Sequence, residues 1–124
     1  MIVGVLAAAS PVMAATPVAL AIVNAEPARA LRCTALLAHF ITLPETAIAP
    51  GATAVLALVR SRDGTLAVAD GAQRLVVEAV HCGADDAWSA TWAALPLGRA
   101  RAAARLTLHC RIARRLICTP GGTP

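Results

Sequence analysis

The sequence predicts an all-β domain, a small antiparallel β-sandwich stabilised by disulfide bonds. Three features of the 124-residue chain point to this class. Apolar and polar residues alternate along most segments, as in strands with one buried and one solvated face. Proline or glycine interrupts the alternation roughly every ten residues, a spacing typical of sandwiches and barrels. Four cysteines follow an apolar N-terminus, and exported thiols tend to become disulfides.

The N-terminal residues Met1–Ala14 are predicted to be a signal peptide. Ile2–Ala9 forms a short apolar core, and Val12-Met13-Ala14 places small residues at the two positions recognised before cleavage. The segment departs from the usual pattern because no basic residue precedes its apolar core. A second cleavage site after Ala25 would extend the signal peptide to residues 1–25, but it would also remove the first predicted strand.

A membrane anchor over Met1–Val23 is the alternative interpretation of the N-terminus, since about 20 residues can span a bilayer. Pro11 and Pro17 would both break such a helix, which favours cleavage. We therefore expect residues 15–124 to be one domain in the periplasm or secreted, with membrane contact only where the N-terminus is uncleaved. This length is close to the commonest domain size.

The first half of the domain is predicted to contain four strands separated by turn residues. The chain turns at Glu26-Pro27, breaks at Pro44 and at Pro50-Gly51, and forms a tight hairpin at Asp63-Gly64. Between these breaks the strands are Val18–Asn24, Leu31–Thr42 with Cys33 and His39 on one face, Ala54–Arg60 and Thr65–Ala69.

After a turn at Asp70-Gly71, the second half is predicted to begin with the strand Arg74–Cys82, the turn Gly83–Asp86 and the strand Ala87–Leu95. The last strand places Trp88 and Trp92 on one face. Only 2% of the residues are aromatic, so Ala, Val, Leu and Ile must fill the core. Because small side chains bury little area, we expect both tryptophans to be core anchors, and a ligand platform is the alternative.

The clearest alternation runs over Arg99–Ile112, which is predicted to be a strand. One face would be buried and apolar, and the other would carry arginine, threonine and histidine. Ala- and Arg-rich sequence has high helix propensity, so a short helical turn followed by a strand from Leu106 is the competing prediction. The residues on the apolar face are Ala100, Ala102, Ala104, Leu106, Leu108, Cys110 and Ile112.

One segment resembles a known type of domain. In Ile48–Leu58, the residues Ala49-Pro50-Gly51 lead into alternating apolar residues. This pattern resembles the strand-entry turn of bacterial immunoglobulin-like domains. The resemblance covers about a tenth of the chain, and it implies an immunoglobulin-like sandwich in preference to a barrel.

Four cysteines allow three disulfide pairings, and spacing alone leaves the choice open. Cys110 and Cys118 lie eight positions apart, a separation that brings two strands together across a short hairpin. The preferred pairing is therefore Cys110 with Cys118, which leaves Cys33 with Cys82.

A periplasmic metal-binding protein is the alternative function, because His81-Cys82 and His109-Cys110 repeat a His-Cys step, with Cys33, Cys118 and His39 also available. Thiolate and imidazole are the usual zinc ligands. Adjacent residues of a strand point to opposite faces, however, and no paired-cysteine clip is present. We therefore predict no metal site and no cofactor.

No catalytic residues are predicted, and the chain is not expected to be an enzyme. Ser10, Ser61 and Ser89 stand outside any nucleophile motif, and no glycine-rich loop suggests a phosphate cradle. The carboxylates are scattered along predicted turns and strand exteriors.

Charge provides the one functional indication. All eleven basic residues are arginines, and residues 87–124 contain six of them and no acid. Such a stripe is predicted to engage an anionic protein or an envelope surface, or else to serve only as a solvated face. Nucleic acid is not expected, because the stripe lacks interleaved aromatic residues on which bases could stack. The candidate residues are Arg99, Arg101, Arg105, Arg111, Arg114 and Arg115.

Overall fold

A computed structural model describes residues 15–70 and 73–121, in which ten strands form one curled sheet. The predicted signal peptide, Met1–Ala14, and Gly71 of a predicted turn lie outside these residues. A short helix, α1 (Trp88–Thr91), and two 3-10 turns, Ala38–Phe40 and Gly98–Arg101, interrupt the strands. The strands are β1 Thr16–Asn24, β2 Leu31–Leu37, β3 Ile41–Thr42, β4 Thr46–Ile48, β5 Thr53–Arg60, β6 Leu66–Asp70, β7 Gln73–Ala84, β8 Ala93–Ala94, β9 Arg105–Ile112 and β10 Leu116–Pro120.

The strand order is β10-β9-β1-β5-β6-β7-β2-β3, with β4 added to β2 and β8 added to β7. Strand β1 is antiparallel to β5 but parallel to β9, where Ala19 lies opposite Arg105. The predicted β-rich domain with two disulfides is confirmed, whereas the prediction of a purely antiparallel arrangement is wrong. The difference arises because Gly98–Arg101 forms a turn, after which β9 enters the sheet in the same direction as β1. No helix among the described residues is both long and apolar enough to cross a membrane.

Strand β7 gives the sheet its curl. Its first residues, from Gln73 to Val76, pair with β6, and the residues from Val77 to Ala84 pair with β2. Strands β5 and β6 share only two residue pairs, so the two strands do not pair along the rest of their length. The inner faces of the two halves meet in one aliphatic core, whose largest fully buried side chains include Leu20, Leu31 and Leu108.

Both disulfides follow the preferred pairing. Cys33 lies directly opposite Cys82 on β2 and β7, and Cys110 lies directly opposite Cys118 on β9 and β10. No cysteine of the chain is free. Disulfides persist in oxidising compartments, so the two bonds indicate that the domain works in such a compartment.

Asn24 is a polar side chain that is fully buried in the aliphatic core. Its Nδ2 donates hydrogen bonds to the carbonyl oxygens of Arg29, at 2.8 Å, and Ile48, at 3.0 Å. Its Oδ1 accepts a hydrogen bond of 2.9 Å from the backbone N–H of Glu26. One buried amide therefore ties the end of β1 to the entry of β2 and to β4, and its polar atoms are satisfied as burial requires.

The predicted strand Leu31–Thr42 is too long, because the chain reverses inside it. Strand β2 ends at Leu37, and β3 folds back so that Leu37 lies opposite Ile41. The reversal places His39 and Phe40 at φ 65° and 61°, in the left-handed region that side chains other than glycine rarely adopt. His39 consequently leaves the face that carries Cys33.

The predicted hairpin at Asp63-Gly64 is confirmed. Gly64 has φ +89°, and the N–H of Ser61 donates to the carbonyl oxygen of Thr65. Asp63 Oδ1 accepts hydrogen bonds from the Thr65 N–H at 3.0 Å and from the Ser61 hydroxyl at 2.7 Å. These donors favour the ionised carboxylate and lower the pKa of Asp63 from 3.8 to about 2.

The two disulfides should differ in their contribution to stability. The Cys33–Cys82 bond closes a separation of 49 residues and the Cys110–Cys118 bond one of 8. Chain-entropy arithmetic gives a stabilisation of about 4 kcal/mol for the first and about 2.5 kcal/mol for the second. We expect Cys33→Ser/Cys82→Ser to lower the free energy of unfolding more than Cys110→Ser/Cys118→Ser, as measured in urea. The reverse order would show that the short loop matters more.

The Asp63 carboxylate should stabilise its hairpin in a defined pH range. Because the folded-state pKa is depressed, the stabilisation is present above pH 3.8 and is lost as the pH falls through about 2. Carbon-detected NMR titration of the Asp63 carboxyl group should give a midpoint near the lower value. Ser61→Ala, which removes one donor, should move the midpoint upward, and an ordinary midpoint in the unmodified protein would contradict the hydrogen bonds described.

Candidate functional site: a basic groove beside β9

The outer face of β9 is basic. Leu106, Leu108 and Cys110 point inward and are buried, while Arg105 and His109 point outward and are exposed. This is the alternation expected of a strand with one wet face. The strand forms here because β9 pairs with β1 and its inward residues join those of β1 in the core.

The segment before β9 does not form the predicted strand. Residues Gly98–Arg101 form a 3-10 turn, and β9 begins at Arg105, in agreement with the competing prediction of a turn followed by a strand. Ala100 is fully buried, but Ala102 and Ala104, which were expected on the buried face, are exposed. In this segment the helix propensity of Ala and Arg has more influence on the backbone than the alternation of apolar and polar residues.

Arg60 holds this turn against the sheet. It stands at the end of β5, and its Nη1 donates hydrogen bonds to the carbonyl oxygens of Ala100, at 2.9 Å, and Ala103, at 2.6 Å. Hydrogen bonds from a charged donor are stronger than neutral ones. The sequence alone does not reveal this role. Its one indication is that Arg60 shares the inward register of Leu58 in β5.

The turn and the strand enclose an open groove of about 540 Å³. Two of its lining residues are hydrogen-bonded to each other, since the N–H of Gly121 donates to the carbonyl oxygen of Thr107 at 2.6 Å. A Cβ at Gly121 would lie 2.7 Å from His109 Nε2, so a side chain there would require the exposed His109 ring to shift. The groove is lined by Arg99, Ala103, Arg105, Leu106, Thr107, His109, Pro120 and Gly121.

The structure divides the predicted arginine stripe. Arg99 and Arg105 meet in the groove, together with His109, which was not among the predicted site residues. Arg101 lines a different depression, which Glu78 also lines. Arg111 continues the outer face of β9 about 20 Å beyond Arg105. Arg114 and Arg115 lie in the hairpin turn between β9 and β10, and all six arginines are exposed.

The charge of the groove is uncompensated within residues 15–70 and 73–121. The ion pairs of that region involve Arg29 and Arg32, and none involves an arginine of the stripe. A guanidinium group presents five N–H donors in a planar fork that fits carboxylate and phosphate oxygens. Arg99 and Arg105 can therefore bind an anionic group that enters the groove.

A Cys/His metal site finds no support in the structure. All four cysteine sulfurs are held in disulfides, so none is available as a thiolate ligand. Within the described part of the chain, no three His, Cys, Asp or Glu residues cluster as metal ligands would.

The tryptophans are not core anchors, contrary to the prediction. Residues 88–91 form α1 in place of a strand, and β8 holds only Ala93 and Ala94. Trp92 is 41% exposed and Trp88 is partly exposed, and both lie outside the core. The helix forms because the Thr91 hydroxyl donates to the carbonyl oxygen of Ala87 and accepts from the N–H of Ala84, which fastens α1 to the end of β7.

Comparisons with protein-family models, curated proteins and solved structures found no match for this chain.

Arg60→Met tests how the groove is held. The variant keeps an apolar stem of similar length but loses both hydrogen bonds to the turn, and we expect it to lower the free energy of unfolding by about 2 kcal/mol. Arg62→Met is the matched control, because Arg62 is exposed in the hairpin turn. Urea denaturation of both variants provides the measurement, and equal effects would contradict a positioning role for Arg60.

Proposed function

We propose that this protein is an exported, non-catalytic β domain that binds an anionic partner through the groove beside β9. One observation carries the proposal. Arg99 on the 3-10 turn and Arg105 on β9 line the same open groove, and neither is paired with a carboxylate in the described residues. Two unpaired guanidinium groups facing one space create a positive potential that attracts and orients an anion.

The dimensions of the groove support binding of a group on a larger partner. Its volume of about 540 Å³ lies within the usual range for ligand sites. Arg105 also stands on the outer face of β9, where the exposed Arg111 continues the positive charge. A partner with several anionic groups, such as an acidic protein or a phosphate-bearing envelope surface, would contact the groove and this face together.

Export forms part of the proposal. The two disulfides support an oxidising location, and Met1–Ala14 has the composition of a signal peptide. We propose the periplasm or the extracellular space as the site of action. Nucleic acid is a poor candidate there, and neither β9 nor the preceding turn supplies a tryptophan, tyrosine or phenylalanine for base stacking.

We also propose that the curled sheet closes as a two-layer sandwich of the immunoglobulin-like kind, with one mixed layer. The support is the change of partner along β7, from β6 to β2, which leads the chain from one half of the sheet to the other. Residues of both halves, such as Leu20 of β1 and Leu31 of β2, belong to one core. Strands that switch between layers are common in packed sheets.

Charge reversal in the groove tests the proposed function. We expect Arg99→Glu/Arg105→Glu to weaken binding to phosphatidylglycerol vesicles or to polyglutamate at least about tenfold, because attraction becomes repulsion. Raising the salt concentration should weaken binding of the unmodified protein, since exposed charges are screened. Sedimentation with vesicles and fluorescence anisotropy with labelled polyglutamate measure the two interactions.

The matched control is Arg62→Glu/Arg74→Glu, which changes the net charge equally at exposed arginines outside the groove. An equal loss in both double variants would show that net charge alone drives association. Failure of the unmodified protein to bind either probe at low salt would overturn the proposed function.

A further inference from the structure

All three aromatic side chains of this chain lie outside its core. Phe40 is fully exposed, Trp92 is 41% exposed and Trp88 is partly exposed, while the core is aliphatic. An aromatic side chain can bury 150–250 Å² and is normally a main contributor to core stability. A domain this poor in aromatic residues would gain most by burying its tryptophans. Their position on the surface therefore indicates a role in binding.

The two tryptophans pack against the same outward face of β2 and β7. The indole ring of Trp88 covers Gly83, and a Cβ at Gly83 would lie 3.1 Å from Trp88 Cε3 and 2.9 Å from Trp92 Cα. Gly83 lies opposite Arg32 on β2, and the Arg32 guanidinium carbon is 5.0 Å from the centroid of the Trp88 ring. On the same face, the ring of His81 is 4.8 Å from that of Trp92. We name Arg32, His81, Trp88 and Trp92 the aromatic platform.

The platform is held in place before any ligand arrives. Thr91, which is buried, accepts a 2.8 Å hydrogen bond from the N–H of Ala84 and donates one of 2.7 Å to the carbonyl oxygen of Ala87. Cys82, one residue before Gly83, is bonded to Cys33. Two tryptophans supported in this way lose little conformational entropy on binding, which favours affinity.

The charges around the platform compensate one another. Asp86 pairs with Arg29 at 2.9 Å, and Arg32 stands 3.5 Å from Glu45 and 3.9 Å from Asp85. The contacts of Arg32 are longer than normal hydrogen bonds, so its guanidinium retains donors that are not fully used. The three carboxylates are well exposed and can accept further hydrogen bonds. The rim therefore offers many donors and acceptors but little net charge.

From this arrangement we infer that the aromatic platform is a saccharide-binding site for a neutral glycan. A pyranose ring has a face of C–H groups with partial positive charge, which complements the negative face of an indole ring. Its hydroxyl groups both donate and accept hydrogen bonds, as the guanidinium and carboxylate groups at the rim require. The combination of flat apolar rings with a polar rim matches this ligand class.

Other ligand classes fit the platform less well. An organic cation over Trp88 would be repelled by the Arg32 guanidinium, which lies 5.0 Å from the centroid of that ring, whereas a neutral ligand would not be repelled. An anion would meet three carboxylates, whereas the basic groove beside β9 lies on other strands and has none among its lining residues. The saccharide site is therefore independent of the proposed function, and either can fail while the other stands.

The experiment begins with an array of neutral and acidic glycans, probed with the complete domain, followed by titration with the strongest neutral glycan. Both tryptophans of the chain belong to the platform, and the chain has no tyrosine, so intrinsic fluorescence reports directly on binding. We expect a change in emission, protection from acrylamide quenching, and at least about tenfold weaker binding in Trp92→Ala. Trp92→Phe, which keeps an aromatic ring, should restore part of the affinity.

Phe40→Ala is the matched control, because it removes an exposed aromatic side chain away from the platform, and it should bind as the unmodified protein does. If Trp92→Ala fails to fold, protection of the unmodified protein from acrylamide decides the question. Absence of neutral-glycan binding across the array would overturn the inference. So would unchanged affinity in a folded Trp92→Ala, or binding of acidic glycans alone that is lost in Arg99→Glu/Arg105→Glu. A fluorescence response to tetramethylammonium without one to glycans would assign the platform to cations instead.

Discussion

Two covalent links between directly opposite strand residues compensate for a core without aromatic side chains. Cys33–Cys82 joins β2 to β7, and Cys110–Cys118 joins β9 to β10, so each region of the curled sheet contains one bond. Leucine, valine and alanine bury less area per residue than tryptophan or phenylalanine, which limits what packing alone can contribute. The fold therefore depends on an oxidising environment, and so do the surfaces that it supports.

Each candidate surface combines strand residues with a connection between strands, and one or two polar contacts fix that connection to the sheet. Arg60 bonds to carbonyl oxygens of the segment that carries Arg99, and Thr91 joins α1 to the end of β7. Asn24 performs a similar task in the core, where its buried amide joins three segments of backbone. Irregular segments keep a fixed geometry here because their backbone polar groups find specific partners.

The two surfaces have contrasting chemistry. The groove beside β9 is positive and has no tryptophan or phenylalanine among its lining residues, whereas the aromatic platform has a rim of nearly balanced charge. A domain with both could attach to an anionic surface and to a neutral glycan at the same time. Linked engagement of two weak sites raises overall affinity when the geometry allows both to bind.

Local sequence determined the inward and outward faces of β5 and β9, the hairpin at Asp63-Gly64 and the concentration of arginine near the C-terminus. It also favoured the correct disulfide pairing, because cysteines eight residues apart can face each other across a hairpin. Tertiary structure alone decided the parallel pairing of β1 with β9, the reversal at His39 and Phe40, the surface position of the tryptophans and the separation of Arg101 from Arg99. Alternation specifies which face of a strand is buried, but the choice of neighbouring strand depends on contacts between residues distant in the chain.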